Sequence, residues 1–423
     1  MARVVVTGAA GFVGGAIAHA LRGRGDEVVA LDVARGPGVL TADVSRQGDW
    51  EKELVGADLV IHAAAVGMGG VGELPPIRGG RPVGTARILS ARMRQVLLGG
   101  TAAVLDAAAR AEVGRVVHLS CVSALGPDIA DDVDETAPVG LTGDPRADTL
   151  AAAEQAVSAA TASGLPATVL RLGDAYGPRA GRWTVWPVLL LRSGRFVLLD
   201  GGTGWLDPVH IDDVVAAVIS AASSPRAVGE ILHVTGPESC TVSEFVGFYS
   251  RMLDLPTPRS MPARMYCALD EAATAVGRLR GRVESRHVTR QDAVTRQDTA
   301  AGSAGDARGS ASITGGGRGD LQGTRPEAGR AGESSVPSAG SAALGIVRGL
   351  SARLVAGVDP RGRIDLGPLT VADVTRSGRC SGERITALTG WRPHVDLADG
   401  MGRTEAWLRD RGLLGVREPS RRG

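Results

Sequence analysis

The chain has 423 residues, too many for one ordinary domain and enough for two or three. Apolar residues make up 43% of it, and 47 basic residues against 46 acidic ones leave a net charge of +1. A sizeable core is therefore expected, and a binder of phosphate backbones, which needs a basic excess, is excluded. Cys121, Cys240, Cys267 and Cys380 lie far apart with no CxxC pair. That spacing excludes a disulfide scaffold and a local zinc site, so no metal is expected, and it fits a reducing compartment such as the cytoplasm. No apolar run reaches the roughly 18 residues of a membrane span. The N-terminus has no signal-peptide layout, so no membrane association is expected either.

Residues 3–7 (RVVVT) are a β-branched run of buried-strand type. The stretch GAAGFVGGAIAHALRGRG then turns helical, with Ala16, Ile17, Ala20 and Leu21 on one face. EVVALD, ending at Asp32, and GVLTAD, ending at Asp43, predict two further strands. DLVIHAAA (58–65) is a fourth, GTAAVLDAAARAEVG (100–114) a helix, and RVVHLS (115–120) a fifth strand. An alanine-rich helix over about 147–162 leads to a sixth strand, ATVLRLG (167–173). Strands alternating with helices in this way specify an α/β fold with a Rossmann-type, doubly wound parallel sheet.

Beyond Pro178 the alternation loosens. WLDPVHIDDVVAAVISAASS (205–224) turns into a helix at its aspartates, GEILHVTG (229–236) is a strand, and Thr241-x-x-Glu244 is a capping box. Residues 285–343 differ. A near repeat, VTRQDA then VTRQDT, precedes Gly/Ser/Ala/Arg-rich sequence with almost no large apolar side chain. Such a segment cannot bury enough surface to offset its conformational entropy and is expected to be a disordered insertion. The expected organisation is a Rossmann domain over 1–180 and a smaller mixed C-terminal lobe over 181–284 and 344–415, with the insertion over 285–343.

Gly8-x-x-Gly11-x-x-Gly14 stands where the first strand turns into the first helix. The first glycine permits the tight turn, the second lets the backbone approach a pyrophosphate, and the third allows close helix–strand packing. The helix N-terminus then offers free N–H groups and positive potential to the phosphates. Gly8, Gly11, Phe12, Val13 and Gly14 are therefore the candidate dinucleotide turn. Asp32, at the end of the next strand, lies close to the usual spacing of about 20 residues beyond it. Its carboxylate would accept hydrogen bonds from an adenosine ribose and repel a 2′-phosphate, which points to NAD over NADP. Arg35 is the one feature that softens this choice.

TGAAGFVGG, Asp32, the Asp43–Val44 pair, VIHAAA, VVHLSCVSALG, RLGDAYGPR, VHIDDV and the terminal TGWRP together resemble the extended short-chain dehydrogenase/reductase superfamily. Within it they are most similar to the NAD-dependent epimerase/dehydratase and 3β-hydroxysteroid-dehydrogenase-like branch. The resemblance spans about residues 3–283 and 345–412. It implies that Asp43 and Val44 flank the adenine and that Ala63 and Ala64 line the cofactor groove. His62 belongs to the same motif and reads as a satisfied histidine at a strand end.

The family's chemistry uses a Tyr-x-x-x-Lys pair on one helix face, a Ser or Thr after the fifth strand and an Asn on an earlier helix. Here that pattern fails. A register through Glu154 puts Arg146 at the tyrosine position and Leu150 at the lysine position. The serine position falls on Cys121, with Ser120 and Ser123 nearby, and the asparagine position on Leu97. Lys52 is the only lysine in the chain, and Gly48 precedes it by four residues. Leucine cannot bind a ribose hydroxyl, and arginine does not deprotonate at working pH.

Two classes of function follow. One is an oxidoreductase or epimerase acting on a small alcohol or carbonyl substrate, sugar-nucleotide-like or steroid/polyketide-like, through an atypical site. Cys121, Ser123, Tyr176, Asp174 and His210 are its candidate proton donors. The other is a non-catalytic NAD-binding protein serving as a sensor, scaffold or partner subunit. Trp205, Asp207 and His210 stand where the second lobe approaches the substrate, and Arg171 and Arg179 flank the sixth-strand turn. A homodimer is compatible with the sequence, and a nucleic-acid partner is not expected.

Overall fold

The computed structural model describes residues 1–65, 91–269 and 369–414. Strand β1 (Arg3–Thr7) sends Val4 and Val6 to one face of the sheet and Val5 to the other. That is the two-residue period of an extended chain. It leads into α1 (Phe12–Gly23), β2 (Glu27–Asp32), β3 (Val39–Thr41) and β4 (Leu59–His62). Next come α2 (Thr101–Arg110), β5 (Val116–Cys121), α3 (Pro145–Ala162) and β6 (Ala167–Leu172). Shorter pieces follow: β7 (Asp174–Tyr176), α4 (Trp186–Arg192), β8 (Leu198–Leu199), β9 (Trp205–Leu206) and β10 (Pro208–His210). Then come α5 (Ile211–Ser223), β11 (Ile231–Val234), β12 (Cys240–Thr241), α6 (Val242–Met252) and β13 (Ser260–Met261). The last described elements are α7 (Val371–Val374), α8 (Glu383–Thr389) and α9 (Leu397–Asp410).

Seven strands form one sheet in the order β11-β6-β5-β4-β1-β2-β3, with every neighbouring pair parallel. The predicted doubly wound Rossmann-type sheet is present. Strand order reverses between β1 and β4, the place where such sheets open a crevice at their carboxyl ends. Ile17 and Leu21 of α1 and Val214 and Val218 of α5 pack on the face that carries Val4 and Val6. Val104 and Leu105 of α2 and Val157 of α3 pack on the other face against Val5, Val60 and Val116. Each large apolar side chain buried in these layers contributes roughly 1.5–3 kcal/mol.

Three local departures have physical causes. β3 stops at Thr41, short of the predicted Asp43, because the chain turns there and the Asp43 carboxylate accepts from the Ser45 N–H at 3.0 Å. α3 begins at Pro145, before the predicted start, because the Asp144 carboxylate accepts from the N–H groups of Arg146 and Ala147 at 2.9 and 2.8 Å. A π-helical turn over Gln95–Gly100, which buries Leu97, precedes α2 and has no sequence signal. The Thr241–Glu244 capping box forms as predicted, at 3.2 and 2.7 Å.

The chain divides into two compact units, residues 1–263 with 363–423, and residues 264–362. Residue 180, the expected domain boundary, falls inside the first unit. In the second unit, the described residues 264–269 are helical. The expected insertion over 285–343 lies outside the described residues. Among the described residues no helix is long and apolar enough to cross a membrane.

Candidate active site

A cleft of about 840 Å³ follows the carboxyl edge of the sheet from the end of β2 to the end of β6. Gly8, Gly11, Phe12, Val13, Gly14, Asp32, Asp43, Val44, Ala63 and Ala64 all line it. Gly8 has a φ of +69°, and a Cβ there would stand 2.5 Å from the Ala63 carbonyl oxygen. A Cβ on Gly14 would collide with the Gly8 carbonyl, so neither position admits a side chain. Gly11 caps α1 without any side chain, which leaves the first helical N–H groups facing the cleft. The Asp32 carboxylate accepts from the N–H groups of Ala10 at 3.0 Å and Ala34 at 2.8 Å, which fixes it at the rim.

His62 stands behind this turn. Its Nδ1 bonds the Thr7 hydroxyl at 2.8 Å and its Nε2 the Thr101 hydroxyl at 3.2 Å. Burial pushes its imidazole down to about 4, so it is neutral and structural in its surroundings. His118 stacks on it at 5.4 Å and is pushed to about 3 by burial and then by His62.

At the other end of the cleft, Cys121, Arg146 and Arg182 line the wall, with Trp183 beside them. Arg146, in the first turn of α3, donates from Nη1 to Asp373 Oδ1 at 2.8 Å, and its Nη2 reaches Cys121 Sγ at 3.7 Å. Arg182 forms a close ion pair with the second oxygen of Asp373. Ser123 Oγ lies 3.3 Å from Cys121 Sγ and donates to Asp373 at 3.4 Å. Asp373 also accepts from the N–H and hydroxyl of Thr370, both at 2.7 Å. Burial works against its charge, but Arg182 and then Arg146 hold its carboxyl well below the usual carboxylate range. Two arginines and an ionised aspartate thus meet at this end of the cleft.

One turn further on, Leu150 is only 2% exposed and shares one apolar cluster with Leu97, Cys121, Val122 and Leu125. Leu97, Cys121 and Leu150 thus belong to a single hydrophobic contact. Below it, Ser120 donates to Glu154 at 2.5 Å, and Glu154 holds Arg171 at 2.8–3.1 Å. Arg171 neither flanks the turn in solvent nor reaches the cleft. Its strand lies inside the sheet, and a charge buried there must be paired.

The other candidates lie apart. Tyr176 is 1% exposed and does not line the cleft; it sits edge-on to His210 and Phe245 at 5.5 and 5.7 Å. Burial pushes its phenol well above the ordinary tyrosine range. Asp174 and Asp207 are held by Arg376 at 2.9 and 3.0 Å. His210 caps α5 by accepting from the Asp212 N–H at 3.3 Å. Trp205 stacks with Arg379 at 5.1 Å, and Arg179 is exposed. Among the described residues no group of His, Cys, Asp and Glu is arranged to hold a metal. Sequence reasoning missed Asp373 and Arg182, whose signal is purely spatial.

Residues 4–234 match the NAD dependent epimerase/dehydratase family, and the chain belongs to this family of enzymes. It is 33% identical over 273 residues to 3-diazoavenalumate denitrifying reductase of Streptomyces sp., covering 62% of this chain and 85% of that one. It is 28% identical over 245 residues to short-chain dehydrogenase/reductase family 42E member 1 of Macaca fascicularis, covering 53% of this chain and 59% of that one. The structure of MoeE5 in complex with UDP-glucose and NAD superimposes with a TM-score of 0.60 at 18% identity, over 97% of this chain and 99% of that one. That likeness is one of fold.

Proposed function

We propose that the protein is an NAD-dependent oxidoreductase acting on a small alcohol or carbonyl substrate without a Tyr-x-x-x-Lys pair. The continuity of the cleft carries this reading: the glycine turn and Asp32 share one cavity with Cys121 and Arg146. The residues fit the dinucleotide. Gly8 and Gly14 form a cradle that a Cβ would fill, the uncapped start of α1 faces the phosphates, and Asp32 and Asp43 stand at the adenosine end. Bound there, the cofactor supplies or accepts a hydride.

The chain's own groups define what else the site does. Arg146 and Arg182 remain charged at every working pH, so they attract and orient negative charge without moving a proton. Cys121 Sγ and Ser123 Oγ stand beside them, 3.3 Å apart. The relative from Streptomyces sp. is named a reductase, which supports hydride delivery as the direction of reaction. Titration with NADH and NADPH, followed by stopped-flow turnover against alcohol and carbonyl panels, tests the reading. NADPH binding as tightly as NADH would sink the choice of cofactor.

A second reading, a binder without turnover, is favoured by Leu150, which leaves the nicotinamide ribose without a cationic anchor. Turnover that disappears in Cys121→Ala decides against it. Tight NADH binding with no turnover on any panel decides for it.

A further inference from the structure

We propose that Arg146 recognises a substrate carboxylate, so that the cleft selects small organic acids with an apolar or aromatic body. This deepens the reading above and rests on it, since it takes cofactor and substrate to share one cleft.

Arg146 lines the cleft while only 7% exposed. Its guanidinium is half used. Nη1 is bonded to Asp373 at 2.8 Å, but Nη2 meets only the thiol of Cys121 at 3.7 Å, and Nε has no partner among the described residues. Sulfur is a weak acceptor, so the Nε–Nη2 edge is a buried pair of donors with almost nothing to receive them. Such donors carry a desolvation cost that only an incoming acceptor relieves. The same edge of Arg171, elsewhere in this protein, is filled by the Glu154 carboxylate at 2.8–3.1 Å. A carboxylate is the group whose two oxygens match that fork.

Among the described residues, no carboxylate near the edge is free to fill it. Asp373 already serves Arg146, Arg182 and Thr370. Asp174 and Asp207 are bound to Arg376, and none of these three lines the cleft. The wall presented to a ligand therefore carries two guanidiniums, Arg146 and Arg182, with the carboxylate they share set behind it. Leu119, Leu172, Ala175 and Trp183 line the cleft from the neighbouring strands and the turn after them, which gives the acid an apolar body to match.

The test is calorimetric titration of the full chain with cinnamate and with cinnamamide, which has the same shape and no charge, with and without saturating NAD⁺. Wild type is expected to bind the acid about 10-fold or more tightly than the amide. Arg146→Met is expected to erase that preference while NAD⁺ still binds. Arg146→Lys, which keeps the charge beside Asp373 and loses the fork, is expected to show a reduced preference, and it carries the test if the methionine variant does not fold. Equal binding of acid and amide by wild type, an acid preference that survives in Arg146→Met, or binding of neither probe would overturn the proposal. A wild type that fails to bind NAD⁺ overturns the cofactor reading instead. The comparison without NAD⁺ still decides the carboxylate proposal.

Discussion

Arg146 and Asp373, 227 residues apart in the chain, pair at 2.8 Å behind the wall of the cleft. Asp373 arrives on the short helix α7, where the Thr370 capping box orients it. This wall is thus assembled from both chain segments of the compact unit, and its charges hold one another in place.

Asp373→Asn removes the one carboxylate between two buried guanidiniums. The loss of stability is expected to be about 3–5 kcal/mol, read by urea unfolding at pH 7. Because the folded carboxyl titrates below its unfolded value, its contribution is complete above about pH 4 and is lost as pH falls further. The difference between wild type and variant should therefore shrink in acid.

The Glu154–Arg171 pair is another buried charge couple, with side chains 4% and 2% exposed. Arg171→Met strands the glutamate and is expected to cost about 3–5 kcal/mol. Adding Glu154→Leu removes the stranded charge, so the double variant should recover most of that loss. A double variant no better than the single one would show that Ser120, not charge burial, sets the cost.

His62 and His118 make stability depend on pH. Their folded values are about 4 and about 3, against an unfolded value near 6.5, so the unfolded chain binds more protons between those limits. Stability is therefore fullest above pH 6.5 and falls on acidification, on the order of 3 kcal/mol per histidine by pH 4. Among the described residues neither nitrogen of His118 has a hydrogen-bond partner. His118→Phe should accordingly flatten the profile of denaturation midpoint against pH without loss at pH 7.5.

The Rossmann half was legible because its signals are local. Alternating valines in β1, the glycine turn and an acid at the end of β2 each occupy a few consecutive residues, and all ten residues expected in the groove line it. What was hidden depends on partners distant in sequence. Arg171 reads as a surface arginine until Glu154 is seen beneath it. Arg182 and Asp373 read as unremarked charges until they meet Arg146. The π-turn that buries Leu97 breaks the periodicity by which a helix is recognised.

Asp32 stands at the proposed adenosine end of the cleft and holds the Ala10 and Ala34 amides. Asp32→Ala is expected to weaken NADH binding about 10-fold, through the lost ribose hydrogen bonds and a loosened turn. NADPH should gain relative to NADH in the same variant, because a 2′-phosphate no longer meets a carboxylate. Parallel titrations of both cofactors measure this. An unchanged ratio would remove Asp32 from cofactor choice.

Leu150 gives the sharpest test of the proposed register, which sets it at the family's lysine position. Leu150→Lys places an ammonium among Leu97, Val122 and Leu125, while Glu154, one turn on in the same helix, is already held by Ser120 and Arg171. At pH 7 this is expected to cost about 3–5 kcal/mol, the usual penalty for an uncompensated buried charge. Burial lowers the folded lysine's proton affinity below the unfolded value near 10.4, so the unfolded state binds the extra proton and the variant should regain stability as pH rises. Leu97→Asn/Leu150→Lys should be less damaged than Leu150→Lys, because the amide accepts from the ammonium across the same contact. Thermal melts of the three proteins at pH 7 and pH 9 separate these outcomes. A Leu150→Lys protein as stable as wild type at pH 7 would mean that the ammonium finds the cleft, and with it a place beside the nicotinamide ribose.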